Sequence, residues 1–191
     1  MRPRIHAAAT WKMQNRAIAV LAALGSAIAA ASAAAAADPP RSVMIVVDGS
    51  GSMWGRLSGA RLSKLQAARD ALRRVLPGLP PDVATGLASF GHRRKGDCSD
   101  AEVIADPAPG DPVRHMGPID RLNPTGKGPL VLALREAANE FAKGQGGAIV
   151  LLHDGADNCQ QDACAAAPEI AKEKPGLAIH TIGITLEEED A

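Results

Sequence analysis

The sequence alternates short, strongly apolar runs with amphipathic segments, and this alternation limits the fold to a few architectures. Residues 42–47 and 148–152 are almost entirely aliphatic and have the length of strands buried on both faces of a sheet. Periodicity and turn residues predict the other elements: strands at 83–90, 101–104 and 177–184, and helices at 62–76, from 130 to a stop at Gly144, and at 162–174. The alternation predicts an α/β fold with a mostly parallel sheet covered on both faces.

The first 37 residues have the features of a secretory signal peptide. An apolar stretch follows Arg16, and the small residues 33–37 that end it provide A-x-A cleavage sites. The stretch is shorter than the roughly 20 apolar residues of a membrane span, so we expect cleavage near Ala37. The sequence therefore predicts a mature domain at 38–191, periplasmic or secreted, with no membrane span. A start at Met13 would give a signal peptide of more usual length.

Charge and aromatic content argue against a nucleic-acid partner. The chain has 21 Lys and Arg and 21 Asp and Glu, but four of the basic residues precede residue 38, which leaves 17 against 21 and a net charge of −4 for the mature domain. A negative domain repels phosphate backbones. Only Trp54, Phe90 and Phe141 are aromatic beyond residue 37, too few for a base-stacking surface.

Two of the most apolar strands end in aspartate. Asp48 ends the first run and Asp154 follows the second, and the carboxyl ends of parallel strands are where such sheets bind ligands. Ser50 and Ser52 follow Asp48 at two-residue steps among glycines, so both hydroxyls can point to one place. Oxygen ligands of this kind suit Mg²⁺, with Mn²⁺ or Ca²⁺ as substitutes. The same residues could instead cap a helix, but the facing Asp154 favours a metal site.

Three segments in order carry a family resemblance. Val-Val-Asp48-Gly-Ser-Gly-Ser-Met-Trp-Gly resembles the D-x-S-x-S motif of the von Willebrand factor A (vWA) family. Leu-Leu-His-Asp154-Gly-Ala-Asp-Asn is similar to the second-aspartate segment of that family, and Asn-Pro-Thr125-Gly-Lys-Gly-Pro-Leu is similar to its threonine loop. The stretch at 90–100 is similar to exported bacterial members.

The resemblance implies a Rossmann-like, doubly wound fold with a metal-ion-dependent adhesion site. In that family the counterparts of Ser50 and Ser52 bind the metal directly, and those of Asp48 and Asp154 bind it mostly through water. An open metal position then accepts a carboxylate from a protein partner. We therefore expect a domain that binds a protein through a divalent metal.

The chain departs from the family pattern in two places. The usual threonine directly precedes the Pro-Leu pair, where this chain has Gly128, and Thr125 lies three residues earlier. Either Thr125 reaches the metal by another loop path or water replaces the hydroxyl. The family also continues with a strand and a helix beyond the counterpart of 177–184, so we expect the domain to be incomplete at its C-terminus.

Enzyme signatures do not appear in these loops. The glycines around Ser50 give neither G-x-G-x-x-G nor the G-x-S-x-G of a serine hydrolase, and Lys127 lacks the flanks of a P-loop. We therefore expect no catalytic activity. Two alternatives stay open: a metal-dependent phosphohydrolase that uses Asp48 and Asp154, and a scaffold domain that has lost metal binding.

Three cysteines follow the predicted export signal, so disulfides are permitted. Cys159 and Cys164 are close enough in sequence to close a small ring, which would leave Cys98 unpaired. The odd count agrees with a fourth cysteine in a missing C-terminal segment, and a buried free thiol is the simpler alternative.

Overall fold

The computed structural model describes residues 42–57, 59 and 61–185. The predicted signal peptide at 1–37 lies outside these residues, as do the last six residues of the chain. Both the cleavage near Ala37 and the expected incompleteness of the C-terminus therefore stay predictions.

The described residues form a five-stranded sheet in the order β3-β2-β1-β4-β5. The strands span these residues: β1 Ser42–Asp48, β2 Ala84–Phe90, β3 Ala101–Ala108, β4 Gly147–His153 and β5 Leu177–Gly183. The neighbouring pairs are parallel except for β2 and β3, which are antiparallel. The prediction of a mostly parallel α/β sheet is confirmed.

The central strand β1 determines where the site lies. All seven of its residues are buried, and it pairs in parallel with β2 and with β4. In this register Asp48 lies beside Phe90, and Val47 lies beside Leu152. The carboxyl ends of β1, β2 and β4 therefore meet at one edge of the sheet, with Asp48 and Asp154 both on it.

Helices cover both faces of the sheet. The described residues form four α-helices: α1 Lys64–Val75, α2 Met116–Arg121, α3 Leu130–Asn139 and α4 Ala163–Glu173. Side chains of α3 and α4 pack with Met44, Val46 and Ile149 in one apolar cluster. Side chains of α1 and α2 pack with Ile45 and Val47 in a second cluster on the opposite face. The doubly wound arrangement is confirmed.

Several predicted boundaries were wrong. Strand β3 runs to Ala108, four residues further than predicted, and contains Pro107, which an edge strand tolerates. Helix α1 begins at Lys64, after an N-cap at Ser63, so Leu62 precedes it and is exposed. Helix α3 ends at Asn139, well before Gly144.

Helix α2 was not predicted. It contains Gly117 and Pro118, two residues with low helix propensity, yet Met116 and Ile119 bury their side chains in the core. Within the part of the chain that the structure describes, none of the helices has the length and apolar character needed to cross a membrane.

Candidate metal centre

The loop after β1 turns tightly at the sheet edge. The Gly49 amide donates to the Phe90 carbonyl oxygen at 2.8 Å, and a Cβ atom on Gly49 would lie 2.6 Å from the Cβ of His92. Glycine is therefore required for this close approach. The Ser50 amide then donates to Asp48 Oδ1 at 2.7 Å, which turns the chain back across the end of its own strand.

Four of the five predicted site residues converge in one pocket. Ser52 Oγ donates to Asp154 Oδ1 at 2.7 Å, and Ser50 Oγ lies 2.9 Å from Ser52 Oγ. These three side chains and Asp48 line a pocket of about 380 Å³. The D-x-S-x-S spacing thus brings the predicted oxygen atoms together.

The two carboxylates of the pocket have different surroundings. Asp48 is only 3% exposed. Burial raises the pKa of its carboxyl from 3.8 to about 6; hydrogen bonds from Ser50 oppose this rise, and the negative charge of Asp154 adds to it. Asp154 instead has a counter-ion, because Lys64 Nζ lies 3.0 Å from its Oδ2. Lys64 lies outside the sequence motifs and was not among the predicted site residues.

The fifth predicted residue, Thr125, lies outside the group. Its hydroxyl donates to the carbonyl oxygen of Asn123 at 2.8 Å, and its amide bonds to the carbonyl oxygens of Gly49 and Gly91. Gly128 lines the pocket instead, and a Cβ atom there would lie 3.8 Å from Ser50 Oγ.

The loop after β4 supports this edge of the pocket through residues to which the sequence analysis gave no role. Asn158 Oδ1 accepts from the Gly128 amide at 2.8 Å, and Asp157 Oδ2 accepts from the Val131 amide at 2.9 Å in the first turn of α3. These contacts hold Gly128 against Ser50.

The cysteine pairing differs from the predicted ring. Cys98 and Cys159 form a disulfide that joins the loop after β2 to the loop after β4, and Cys164 is free and exposed. The predicted ring between Cys159 and Cys164 was wrong, because Cys159 is bonded to Cys98, and Cys164 lies in the first turn of α4. Cys98 therefore needs no further cysteine for pairing.

The donor set fits a hard divalent cation. The four predicted residues in the pocket offer two carboxylates and two hydroxyls, all oxygen, which is the chemistry that Mg²⁺ and Mn²⁺ prefer. Among residues 42–57, 59 and 61–185 no three His, Cys, Asp or Glu side chains group as metal ligands, so any metal here depends on the serine hydroxyls.

Comparison with known proteins identifies the fold family. The model of the von Willebrand factor type A domain matches residues 43–156. The chain belongs to this family. vWA domains often mediate protein interactions.

One relative of this vWA domain is YwmC, an uncharacterized Bacillus subtilis protein that is 28% identical over 85% of this chain and 74% of its own length. Two solved structures share the fold. A von Willebrand factor type A protein from Catenulispora acidiphila superposes with a TM-score of 0.57 at 19% identity, over 79% of this chain and 35% of its own. The mussel byssus protein PTMP1, with a zinc-occupied MIDAS motif, superposes with a TM-score of 0.51 at 17% identity, over 76% of this chain and 38% of its own.

Proposed function

We propose that this vWA domain is exported and binds a protein partner through a divalent metal held by Asp48, Ser50, Ser52 and Asp154. The observation that supports this most directly is the hydrogen-bonded series from Ser50 through Ser52 to Asp154, beside Asp48 in one pocket. The zinc-occupied MIDAS motif of the mussel neighbour is consistent with this use of the fold. Mg²⁺ is the expected metal, with Mn²⁺ or Ca²⁺ as substitutes.

Each side chain would contribute differently. Ser50 and Ser52 supply neutral hydroxyl oxygens, while Asp48 and Asp154 supply negative charge. Thr125 would have to give up its hydrogen bond to Asn123 before it could reach the pocket. We therefore assign it no direct contact and expect water in its place.

Charge explains why a metal would select an acidic partner. With the three lining aspartates Asp48, Asp154 and Asp157 ionised and Lys64 protonated, the pocket has a net charge of −2 and repels a carboxylate. A bound divalent cation cancels this charge and gives the partner's carboxylate an oxygen-binding centre. Metal and acidic partner should therefore bind cooperatively.

Thermal unfolding tests metal binding. Millimolar Mg²⁺ or Mn²⁺ should raise the melting temperature of the wild type relative to chelator, because a ligand that binds only the folded state stabilises it. Asp48→Asn should abolish the rise. Asp82→Asn, which removes an exposed carboxylate, should keep it. Identical wild-type melting curves with metal and with chelator would exclude the metal and favour a scaffold that has lost metal binding.

A phosphatase assay with Mg²⁺ separates the proposal from a metal-dependent phosphohydrolase. An aspartate nucleophile of that class needs a second carboxylate where this chain has Ser50. We expect no turnover. Turnover that Asp48→Asn abolishes would replace the binding proposal by the enzymatic one.

Export is the second part of the proposal. The signal-like residues 1–37 support it, and so does the disulfide between Cys98 and Cys159, since disulfides persist in oxidising compartments. In a Gram-negative host, mass spectrometry of the periplasmic fraction should find an N-terminus near Asp38. Recovery of an intact form that starts at Met1 or Met13 in the cytoplasm would contradict export.

A further inference from the structure

A lysine side chain lies inside the candidate metal pocket. Lys64 Nζ donates to Asp154 Oδ2 at 3.0 Å, and the two side chains are 18% and 2% exposed. Asp154 therefore has both oxygens engaged, Oδ1 by Ser52 and Oδ2 by Lys64. Its second oxygen is already paired with a positive charge supplied by the chain itself.

Contacts at the start of α1 fix the position of Lys64. Its amide donates to the carbonyl oxygen of Gly55 at 2.8 Å, and Ser63 caps the helix by accepting from the Gln66 amide at 3.1 Å. A Cβ atom on Gly55 would lie 2.9 Å from the Ser52 carbonyl oxygen and 3.4 Å from Lys64 Cε, so the close approach of the Ser52 backbone requires the glycine, and the lysine side chain packs beside it.

The start of a helix is an electrostatically unfavourable position for a lysine. Lys64 is the first residue of α1, and its first turn contains no acidic residue. The partial positive charge of a helix N-terminus favours acidic side chains and disfavours lysine. The contact with Asp154 therefore offsets a local electrostatic cost, which points to a role in the pocket.

We propose that Lys64 is a tethered cation that competes with the divalent metal for Asp154 and so lowers the metal affinity of the site. This inference rests on the proposed metal binding. The ammonium and the metal both seek the same carboxylate, and they repel each other at short range. Metal binding therefore requires Lys64 to leave Oδ2. The site then needs a higher metal concentration for half-occupancy than the same oxygen ligands would need without the lysine.

The test is a titration of Mn²⁺ alone into wild type, Lys64→Met and Lys64→Gln, by calorimetry and by the loss of the free-ion electron paramagnetic resonance signal. Lys64→Met removes the charge and keeps an unbranched side chain that is one atom shorter. Lys64→Gln is the second variant, in case Lys64→Met folds poorly. It also removes the charge, and it keeps an N–H donor for Asp154. Lys127→Met is the matched control, because Lys127 is an exposed lysine on a loop beside the site.

Both Lys64 variants should bind Mn²⁺ more tightly than wild type, by roughly tenfold or more, given the strength of a charge repulsion over a few ångströms. Lys127→Met should change the affinity by less than about twofold. In chelator, Lys64→Met should melt at a lower temperature than wild type, because Asp154 loses its counter-ion.

The outcomes separate this inference from the proposed function. Equal or weaker Mn²⁺ binding by both variants, with a wild type that binds, would overturn the role of Lys64 and leave metal binding intact. Binding by the variants and not by the wild type would support Lys64 as the competing cation and reject metal use by the natural chain. No binding by any of the three would overturn both.

Discussion

Two of the loops that reach the pocket, the loop after β1 and the loop at 123–128, use their polar side chains in opposite ways. In the loop after β1, the oxygens of Asp48, Ser50 and Ser52 all turn toward the pocket. In the loop at 123–128, the hydroxyl of Thr125 bonds to its own loop, and Gly128 faces the pocket without a side chain. The first loop provides ligands, whereas the second closes the pocket with backbone.

The titration of Asp48 gives the largest expected effect. Its pKa is about 6 in the folded protein and 3.8 as a free group, so between these pH values the folded state holds a proton that the unfolded state has released. In chelator, this residue should lower the free energy of unfolding as pH rises from about 4 to about 6. The loss is roughly 3 kcal/mol, at about 1.4 kcal/mol for each pKa unit.

Urea unfolding in chelator across this pH range checks the sign. Asp48→Asn should lack the decrease, and Asp82→Asn should keep it, since Asp82 is exposed. The free energies of unfolding of the wild type and of Asp48→Asn could instead change in parallel with pH. That result would show that Asp48 is not held in the buried position on which the comparison depends.

Ser52→Ala tests the first loop more directly. The hydroxyl bonds to both Ser50 and Asp154, so its removal takes away one proposed ligand and loosens two others. We expect the Mn²⁺ affinity to fall at least about tenfold, measured by calorimetry, while circular dichroism shows the native fold. Unchanged affinity would mean that the metal, if bound, uses other oxygens.

The contrast between the loops also explains what the sequence could predict. The first loop follows a fully buried strand, so its start at Asp48 is determined by the apolar run, and the two-residue steps then define where Ser50 and Ser52 lie. The second loop has no such anchor. Its path depends on distant contacts, such as the bond from Gly128 to Asn158, which local pattern does not indicate.

The same reasoning applies to Lys64 and to the fold. Lys64 lies beyond the recognisable motif and reaches Asp154 only because α1 begins where Ser63 caps it. Helix α2 was not predicted, because the burial of Ile119 outweighs the low helix propensity of the glycine and proline in this helix. Cys98 pairs with Cys159 because β2 and β4, one on each side of β1, end at the same edge. Strands predicted from apolar runs were confirmed, whereas features set by long-range contacts were not predictable.

Gly128→Thr should give the loop at 123–128 a side-chain oxygen at the pocket, as the loop after β1 already has. A Cβ atom at this position would make ordinary contacts of 3.5 Å with Phe90 and 3.6 Å with the Ser50 Cβ atom, so a side chain can be accommodated. A hydroxyl would then lie beside Ser50, and we expect the Mn²⁺ affinity to rise about three- to tenfold. Gly128→Val, with the same shape and no hydroxyl, is the control. Equal affinities for the two variants would show that an added oxygen here does not reach the metal.

Thr125→Val should have the smallest effect, and it decides whether the second loop has any ligand of its own. The Thr125 hydroxyl donates to Asn123 at 2.8 Å, while the two backbone hydrogen bonds of Thr125 do not depend on its side chain. Valine keeps the shape, so the loop should stay in position and lose about 1 kcal/mol of stability or less. The Mn²⁺ affinity should change by less than about twofold, because no oxygen leaves the pocket. A tenfold loss in the same titration would mean that Thr125 leaves Asn123 when metal binds, and the two loops would then both provide ligands.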